Sequence, residues 1–273
     1  MSPPGGGFNR FAVSTLGTGP GHGEGVLRVA TYNIHKGVRG VGPRKRLEIH
    51  NLGLGVEALD ADLVCLQEVR LFHTRDQRHF DRSSFGWPEG GQAHFLAPEG
   101  YDVAYRTNAV TRHGEHGNAL LSRWPIGDIG HHDVSDHPFE QRGLLHVPVQ
   151  WQGLTVHAVV AHFGLAHRSR VRQVQRLATF IEAHVPKGEL LLVAGDFNDW
   201  GAQLDEPMRG IGLTRAVPPS GRPGLTFPSL VPVFGLDRVY TRGLGCKGGF
   251  VPRGTAWARM SDHLPLVVEL EPR

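Results

Sequence analysis

Two stretches decide the fold of this chain: Ser261-Asp-His-Leu-Pro-Leu-Val-Val-Glu-Leu270 and Glu189-Leu-Leu-Leu-Val-Ala-Gly-Asp-Phe-Asn198. Each is a short apolar run, with the length of a buried strand, carrying polar chemistry at one end. In the second, the Asp-x-Asn step sets Asp196 and Asn198 on the same side of an extended chain end, since side chains alternate with period two. In the first, Asp262 and His263 stand just before the strand, where an imidazole can lie beside a reacting phosphorus. Two further segments repeat the pattern. Ala30-Thr-Tyr-Asn33-Ile-His35 ends a strand with an amide, and Asp62-Leu-Val-Cys-Leu-Gln67-Glu68 ends one with a carboxylate. Carboxylates, amides and imidazoles at strand ends point to hard-metal and phosphate chemistry rather than a plain binding surface.

Outward from these, further runs read as strands: 26–32, 118–122, 144–149, 154–161 and 236–240. The short link Gln150-Trp-Gln-Gly153 predicts a hairpin between two of them. Helical periodicity appears over 46–59, with Leu52, Val56 and Leu59 on one face, and over 168–184, with Val171, Val174, Leu177, Ala178 and Ile181 on one face. Arg168, Arg172 and Arg176 lie off that face and read as a solvated surface. Strands outnumber helices and pair closely in sequence. The expectation is therefore an α/β fold of two mainly antiparallel sheets packed face to face, with helices on the outer faces. Stretches 72–100, 107–117, 127–142 and 203–235 read as loops that shape a substrate site.

The ordered set Asn33, Glu68, His162, Asp196 with Asn198, Asp237 and Asp262 with His263 resembles the endonuclease/exonuclease/phosphatase superfamily, the group shaped like DNase I. The resemblance runs from about Leu27 to Leu270. It is nearest a compact bacterial branch carrying Asn-Ile-His-Lys-Gly, Gly-Asn-Ala-Leu-Leu-Ser-Arg and Gly-Asp-Phe-Asn-Asp-Trp, for which no substrate is established. It implies a DNase I-like two-sheet β-sandwich and a Mg²⁺- or Mn²⁺-dependent phosphoesterase. It also implies site roles. Glu68, Asn33 and Asp262 are the expected metal residues. His162, Asp196, Asn198, Asp237, Asp262 and His263 are the expected catalytic set. Asn118, Asn198 and His35 are expected at the phosphate.

Within that set, His263 is expected to accept the water's proton, with Asp262 fixing its tautomer. Asp196 is expected to orient the water or hold a second metal. Asn33 either ligates metal or holds Glu68. His162 faces the leaving group, and Asp237 orients His162 or a phosphate-binding group. The superfamily more often reads Thr-His-Leu where this chain has Ala161-His162-Phe163, which changes the neighbours and leaves the imidazole. His35 and Lys36 either reach the substrate or are solvated loop residues. The stretches His131-His-Asp-Val-Ser-Asp-His137 and His113-Gly-Glu-His116 look like transition-metal clusters but match no zinc spacing.

Composition bounds the rest. The chain has 273 residues, 40% of them hydrophobic, enough for one sizeable core. Net charge is +3 and the pI about 9.1, which suits an anionic substrate without requiring nucleic acid. No apolar stretch reaches the roughly 20 residues of a membrane span. Residues 1–25, rich in Gly, Pro and Ser, read as a flexible leader to a domain over 26–273. The start lacks the charged and apolar regions of a signal peptide. Cys65 sits inside an apolar strand and reads as an inert core thiol, so no disulfide framework is expected. A cytoplasmic monomer is the expectation. The expected substrate is a phosphodiester, with nucleic acid ahead of a phospholipid headgroup or inositol phosphate. A non-catalytic binding or scaffold protein of this fold is the alternative.

Overall fold

The computed structural model describes residues 25–273 except 41, 81–85, 138 and 222–223. The leader expected over 1–25 falls, but for Gly25, outside the described residues. Two six-stranded sheets form the frame. The first runs, side by side, β13 (Leu244–Phe250), β14 (Leu266–Pro272), β1 (Leu27–Asn33), β4 (Leu63–His73), β6 (Gly114–Ser122) and β5 (Asp102–Thr111). The second runs β11 (Thr214–Arg215), β12 (Asp237–Arg242), β10 (Leu190–Asp196), β9 (Leu154–His162), β8 (Gly143–Trp151) and β7 (Gly130–Asp133). A short pair, β2 (Val38–Arg39) and β3 (Arg46–Leu47), stands apart.

Alternation builds four layers. Along β4, Leu63 and Cys65 face the second sheet, where they meet Val147, Val149, Trp151 and Val160. Val64 and Leu66 face outward, against Leu52, Val56 and Leu59 of α1 (Ile49–Leu59). The second sheet's outer face, including Val159 and Val193, packs on Val174, Leu177 and Ile181 of α4 (His167–His184). The shorter helices are α2 (Thr74–His79), α3 (Gln92–Leu96), α5 (Asp205–Gly210) and α6 (Thr255–Met260). Fully burying each such Val or Leu contributes about 1.5–3 kcal/mol, so three apolar layers are what hold the strand ends in place. Burial also pushes the Cys65 thiol up to about 12, consistent with an inert core group.

The two-sheet α/β sandwich with outer helices is as the sequence predicted. Both sheets also contain one parallel pair: β1 with β4, joined through α1, and β9 with β10, joined through α4. The crossover helices make these pairs possible. The helix expected from residue 46 begins at Ile49, because Arg46 and Leu47 pair with β2. The loops expected over 107–117 and 127–142 contain much of the β5–β6 hairpin and β7. That expected over 203–235 contains α5 and β11. Residues such as Asp102–Thr111 mix polar and apolar positions because only one strand flanks them. The arginines of α4 are not simply solvated either. Arg172 Nε bonds Asp136 Oδ1 at 2.6 Å, and Arg176 donates to the Ser135 carbonyl, so both hold the segment after β7.

Register carries the chemistry to one end of the sandwich. On β10, Asp196 lies opposite His162 of β9 and Asp237 of β12. The step before it must be glycine, because a Cβ on Gly195 would fall 1.8 Å from the Ala161 carbonyl oxygen. A Cβ on Gly210 meets nothing within 4 Å. Gly195→Ala should therefore lower unfolding stability in urea by about 1–3 kcal/mol or more, while Gly210→Ala stays within about 0.5 kcal/mol. Equal midpoints for the two variants would refute the close-approach account.

Candidate active site

Residues from six strands or their flanks meet at one end of the sandwich. Asn33 closes β1, His162 closes β9 and Asp196 closes β10, while Asp237 opens β12. Asp262 and His263 precede β14, and Glu68 lies within β4. Glu68 comes from a β-bulge. The β4–β6 register breaks between Leu66 and Val69, yet both these residues pack in the same outer cluster. Strict alternation forbids that for positions three apart, and Glu68, at φ 58°, is the extra residue that re-aims the chain. His35 (φ 46°), Lys36 (φ 60°) and Asn198 (φ 48°) share this left-handed conformation. Non-glycine residues held there cost of order 1–3 kcal/mol each and gather where surrounding contacts enforce them.

Asp196 is the centre. It is 1% exposed. Its Oδ2 accepts from Asn33 Nδ2 at 3.1 Å, and its Oδ1 accepts from the Asn198 amide nitrogen at 2.9 Å. Two imidazoles face the same Oδ2: His162 Nε2 at 3.6 Å and His263 Nε2 at 3.7 Å. The histidines are poised in opposite charge states. For His162, burial pushes the ring down, the Arg142 guanidinium adds to it, and the pKa falls to about 4. For His263, burial again lowers it, but Asp237 and Asp196 outweigh burial and raise the pKa to about 10. At neutral pH His162 is neutral and His263 is an imidazolium.

Glu68 stands apart from this pair. Burial alone would raise its carboxyl. The ammonium of Lys36, 2.7 Å from Oε2, with His162 and His35, outweighs that and holds it well below the usual carboxylate range. Asp262 Oδ2 lies 3.3 Å from His35 Nδ1. Burial would raise Asp262 too, but His35 brings it below its ordinary value, against the nearby charge of Glu68.

These contacts change several sequence-based assignments. The carboxylate on His263 Nδ1 is Asp237, at 2.8 Å, and not Asp262. Asp262 turns instead to His35, so neighbours in sequence are not neighbours in function. Asp237 consequently orients His263 rather than His162. Asn33 engages Asp196 and not Glu68; its Oδ1 accepts from the His35 amide at 3.0 Å. Asn118 is fully buried, and its amide donates to the Gly143 and Val160 carbonyls at 2.9 and 3.0 Å. Both amide hydrogens are thus spent tying β6 to the second sheet, leaving none for a phosphate. Asn198 donates one hydrogen to the Phe163 carbonyl at 2.9 Å and keeps one. The histidines of 131–137 serve locally: His131 meets Asn108, His132 packs on Phe180, and His137 faces Glu140.

Sequence reasoning missed Arg142. It sits just before β8, with no motif around it, and only the fold brings its charge to His162. Arg142 and His116 line a cavity of about 570 Å³ with Val110, Phe139, Glu140 and Leu165. His116, driven down to about 4 by burial and Lys36, adds a neutral imidazole on the Glu68 side.

The donor set suits a hard cation. Glu68 and Asp262 are oxygen donors, and the Lys36 ammonium already occupies a cation's place against Glu68. Asp196, Asp237 and His263 also bring ligand atoms within 4.8 Å of one another. There, however, each imidazole nitrogen faces a carboxylate, which is how two carboxylates hold an imidazolium. The Glu68 side is the better fit to Mg²⁺ or Mn²⁺.

The sequence profile described as "Endonuclease/Exonuclease/phosphatase family" matches residues 30–263, and the chain belongs to that family. Members of this family are phosphoesterases that generally use divalent metals. The chain is 37% identical over 252 residues to the Escherichia coli K12 protein YbhP, described as uncharacterized, covering 89% of this chain and 96% of that one. A sphingomyelinase C of Leptospira interrogans is 29% identical over 117 residues, 37% of this chain and 20% of that one. In structure, the chain is similar to an endonuclease/exonuclease/phosphatase family protein of Leptotrichia buccalis, with a TM-score of 0.69 and 16% identity, covering 90% and 99% of the two chains. Among the described residues, no helix is long and apolar enough to cross a membrane.

The His263–Asp237 pair predicts a pH dependence. A histidine whose pKa rises on folding stabilises the fold fully below its unfolded value, about 6.5, and loses that contribution as pH climbs through its folded value, about 10. Asp237→Asn removes the main cause of the rise. In EDTA, the stability gap between wild type and Asp237→Asn should be widest near pH 6 and narrow steadily toward pH 10. A gap that is flat across this range would contradict the ion pair.

Proposed function

We propose that this protein is a divalent-metal-dependent phosphodiesterase that hydrolyses its substrate by in-line attack of water. The observation that carries this is the buried Asp196 carboxylate with His162 and His263 ring nitrogens 3.6 and 3.7 Å from the same oxygen, beside the Glu68 and Asp262 carboxylates. Phosphodiester hydrolysis needs a positioned nucleophile, a proton acceptor and charge on the phosphate oxygens. Asp196 Oδ2 is the acceptor that orients the water between the two rings. Neutral His162 has a free ring nitrogen for the water's proton. The His263 imidazolium, held by Asp237, donates to a phosphate or leaving oxygen. This exchanges the roles read from sequence, because an imidazolium has no lone pair to accept a proton. Asn198 offers its remaining amide hydrogen to the phosphate. Glu68 and Asp262 would hold a hard cation, which would supply further positive charge to the phosphate.

Both ester classes expel an alkoxide, but a monoester reacts through a loose transition state that draws little on the nucleophile, so a site that orients and deprotonates the water favours a diester. Bis(p-nitrophenyl) phosphate should accordingly turn over faster than p-nitrophenyl phosphate with Mg²⁺ or Mn²⁺, and EDTA should abolish it. Glu68→Gln keeps the shape and removes the charge, and should lower turnover about 10²-fold or more while raising the metal concentration needed. His162→Ala and His263→Ala should each lose roughly 10²-fold in kcat with intact folding, the scale of a lost general acid or base. Wild-type rates for Glu68→Gln in chelator-treated buffer would remove Glu68 from the metal site. Faster turnover of a monoester would overturn the diester assignment.

A further inference from the structure

Beside His263 the chain builds an apolar lip. Residues 224–236, Gly-Leu-Thr-Phe-Pro-Ser-Leu-Val-Pro-Val-Phe-Gly-Leu, carry no charged side chain. The segment folds into a tight hairpin closed by a bridge between Phe227 and Phe234, with the Val233 and Phe234 amides donating to the Phe227 carbonyl. Its tip is aliphatic and turned to solvent: Leu230 is 70% exposed, Val231 68% and Val233 55%. Trp200, 45% exposed, packs edge-on against both Phe227 and Phe234.

The lip is bolted to the catalytic segment. The Ser229 amide donates to the Asp262 carbonyl at 2.7 Å, and the Leu264 amide to the Thr226 carbonyl at 2.8 Å. The Phe227 ring lies 4.9 Å from the His263 ring. Whatever seats on the tip is therefore held at a fixed place relative to the imidazolium. Cations flank it. Arg253 is exposed and donates to the Leu225 carbonyl at 3.2 Å. Arg259, also exposed, belongs to α6, which accepts from Ser229 Oγ at the Ala258 carbonyl.

We infer that this lip docks the protein on an anionic phospholipid surface and presents lipid headgroup phosphodiesters to His263. The inference rests on the phosphodiesterase reading for its substrate and on the surface alone for its docking. Exposed aliphatic side chains beside an active site, a tryptophan at their base and arginines around them form the pattern of an interfacial anchor. A surface that tracks a nucleic-acid backbone needs the opposite, cationic side chains along the path, and this rim of the cleft is uncharged over thirteen residues.

The test is flotation of the full chain with vesicles of phosphatidylcholine containing one third phosphatidylglycerol. Wild type should bind, and Leu230→Glu/Val231→Glu should lose at least tenfold in partitioning. Leu54→Glu, which changes an equally exposed aliphatic residue (67%) on α1, should bind as wild type does. Turnover of vesicle phospholipid, relative to soluble bis(p-nitrophenyl) phosphate, should fall at least tenfold in the double variant only. Circular dichroism of the variants reports their folding, and Leu230→Ser/Val231→Ser should show the same loss. Failure of wild type to float, or equal losses for Leu54→Glu, would overturn the inference. So would a lip variant that weakens oligonucleotide binding or self-association while vesicle binding stays intact. Flotation without any hydrolysis of bis(p-nitrophenyl) phosphate would uphold the lip and remove the hydrolase reading instead.

Discussion

A carboxylate buried to 1% exposure is costly unless the fold surrounds it with donors, and the site is built around that requirement at Asp196. The Asn33 amide reaches it from the first sheet, the Asn198 backbone from its own strand end, and two imidazoles close the remaining side. The Asn33 contact is also a bond between the two sheets. It joins the Asn118 bonds and the apolar layer in tying the sheets together. Removing the Asp196 side chain would take one carboxylate from beside the His263 imidazolium and leave the Asn33 donor without its acceptor.

The left-handed residues belong to the same economy of position. His35, Lys36, Glu68 and Asn198 are four of seven non-glycine residues with positive φ among those described. Each is pinned by a neighbour: Lys36 to Glu68, Asn198 to Phe163 and Asp196, His35 to Asn33 and Asp262. Interlocking contacts of this kind hold strained backbone that an isolated loop would release. They place side chains at angles that regular strands cannot reach.

The strand ends and their polar residues were legible in the sequence because apolar runs of strand length show where a chain is buried, and Asp, Asn and His at the edge of such a run stand out. The sandwich followed from counting those runs. What the sequence could not show was pairing across space. Asp262 precedes His263 directly, yet the chain bends there, Asp262 turns to His35, and Asp237 from another strand takes the ring. Asn118 looked like site chemistry and is a bolt between sheets. Arg142 carries no motif, and the bulge at Glu68 leaves no mark in composition. The edge strands β5, β7, β11 and β13 were missed because strands flanked on one side tolerate glycine and polar residues.

The arrangement of the first sheet has a kinetic consequence. β14, the strand latest in chain order, is not at an edge but between β13 and β1, and Leu27 pairs with Leu270. Closing that ladder means bringing together segments more than two hundred residues apart, a step whose loop entropy must be met before its contacts form. His263 stands just before β14 and is held across the sandwich by Asp237. The site is therefore complete only when the first and last strands of this sheet pair, although the register of Asp196, Asp237 and His162 lies wholly within the second sheet.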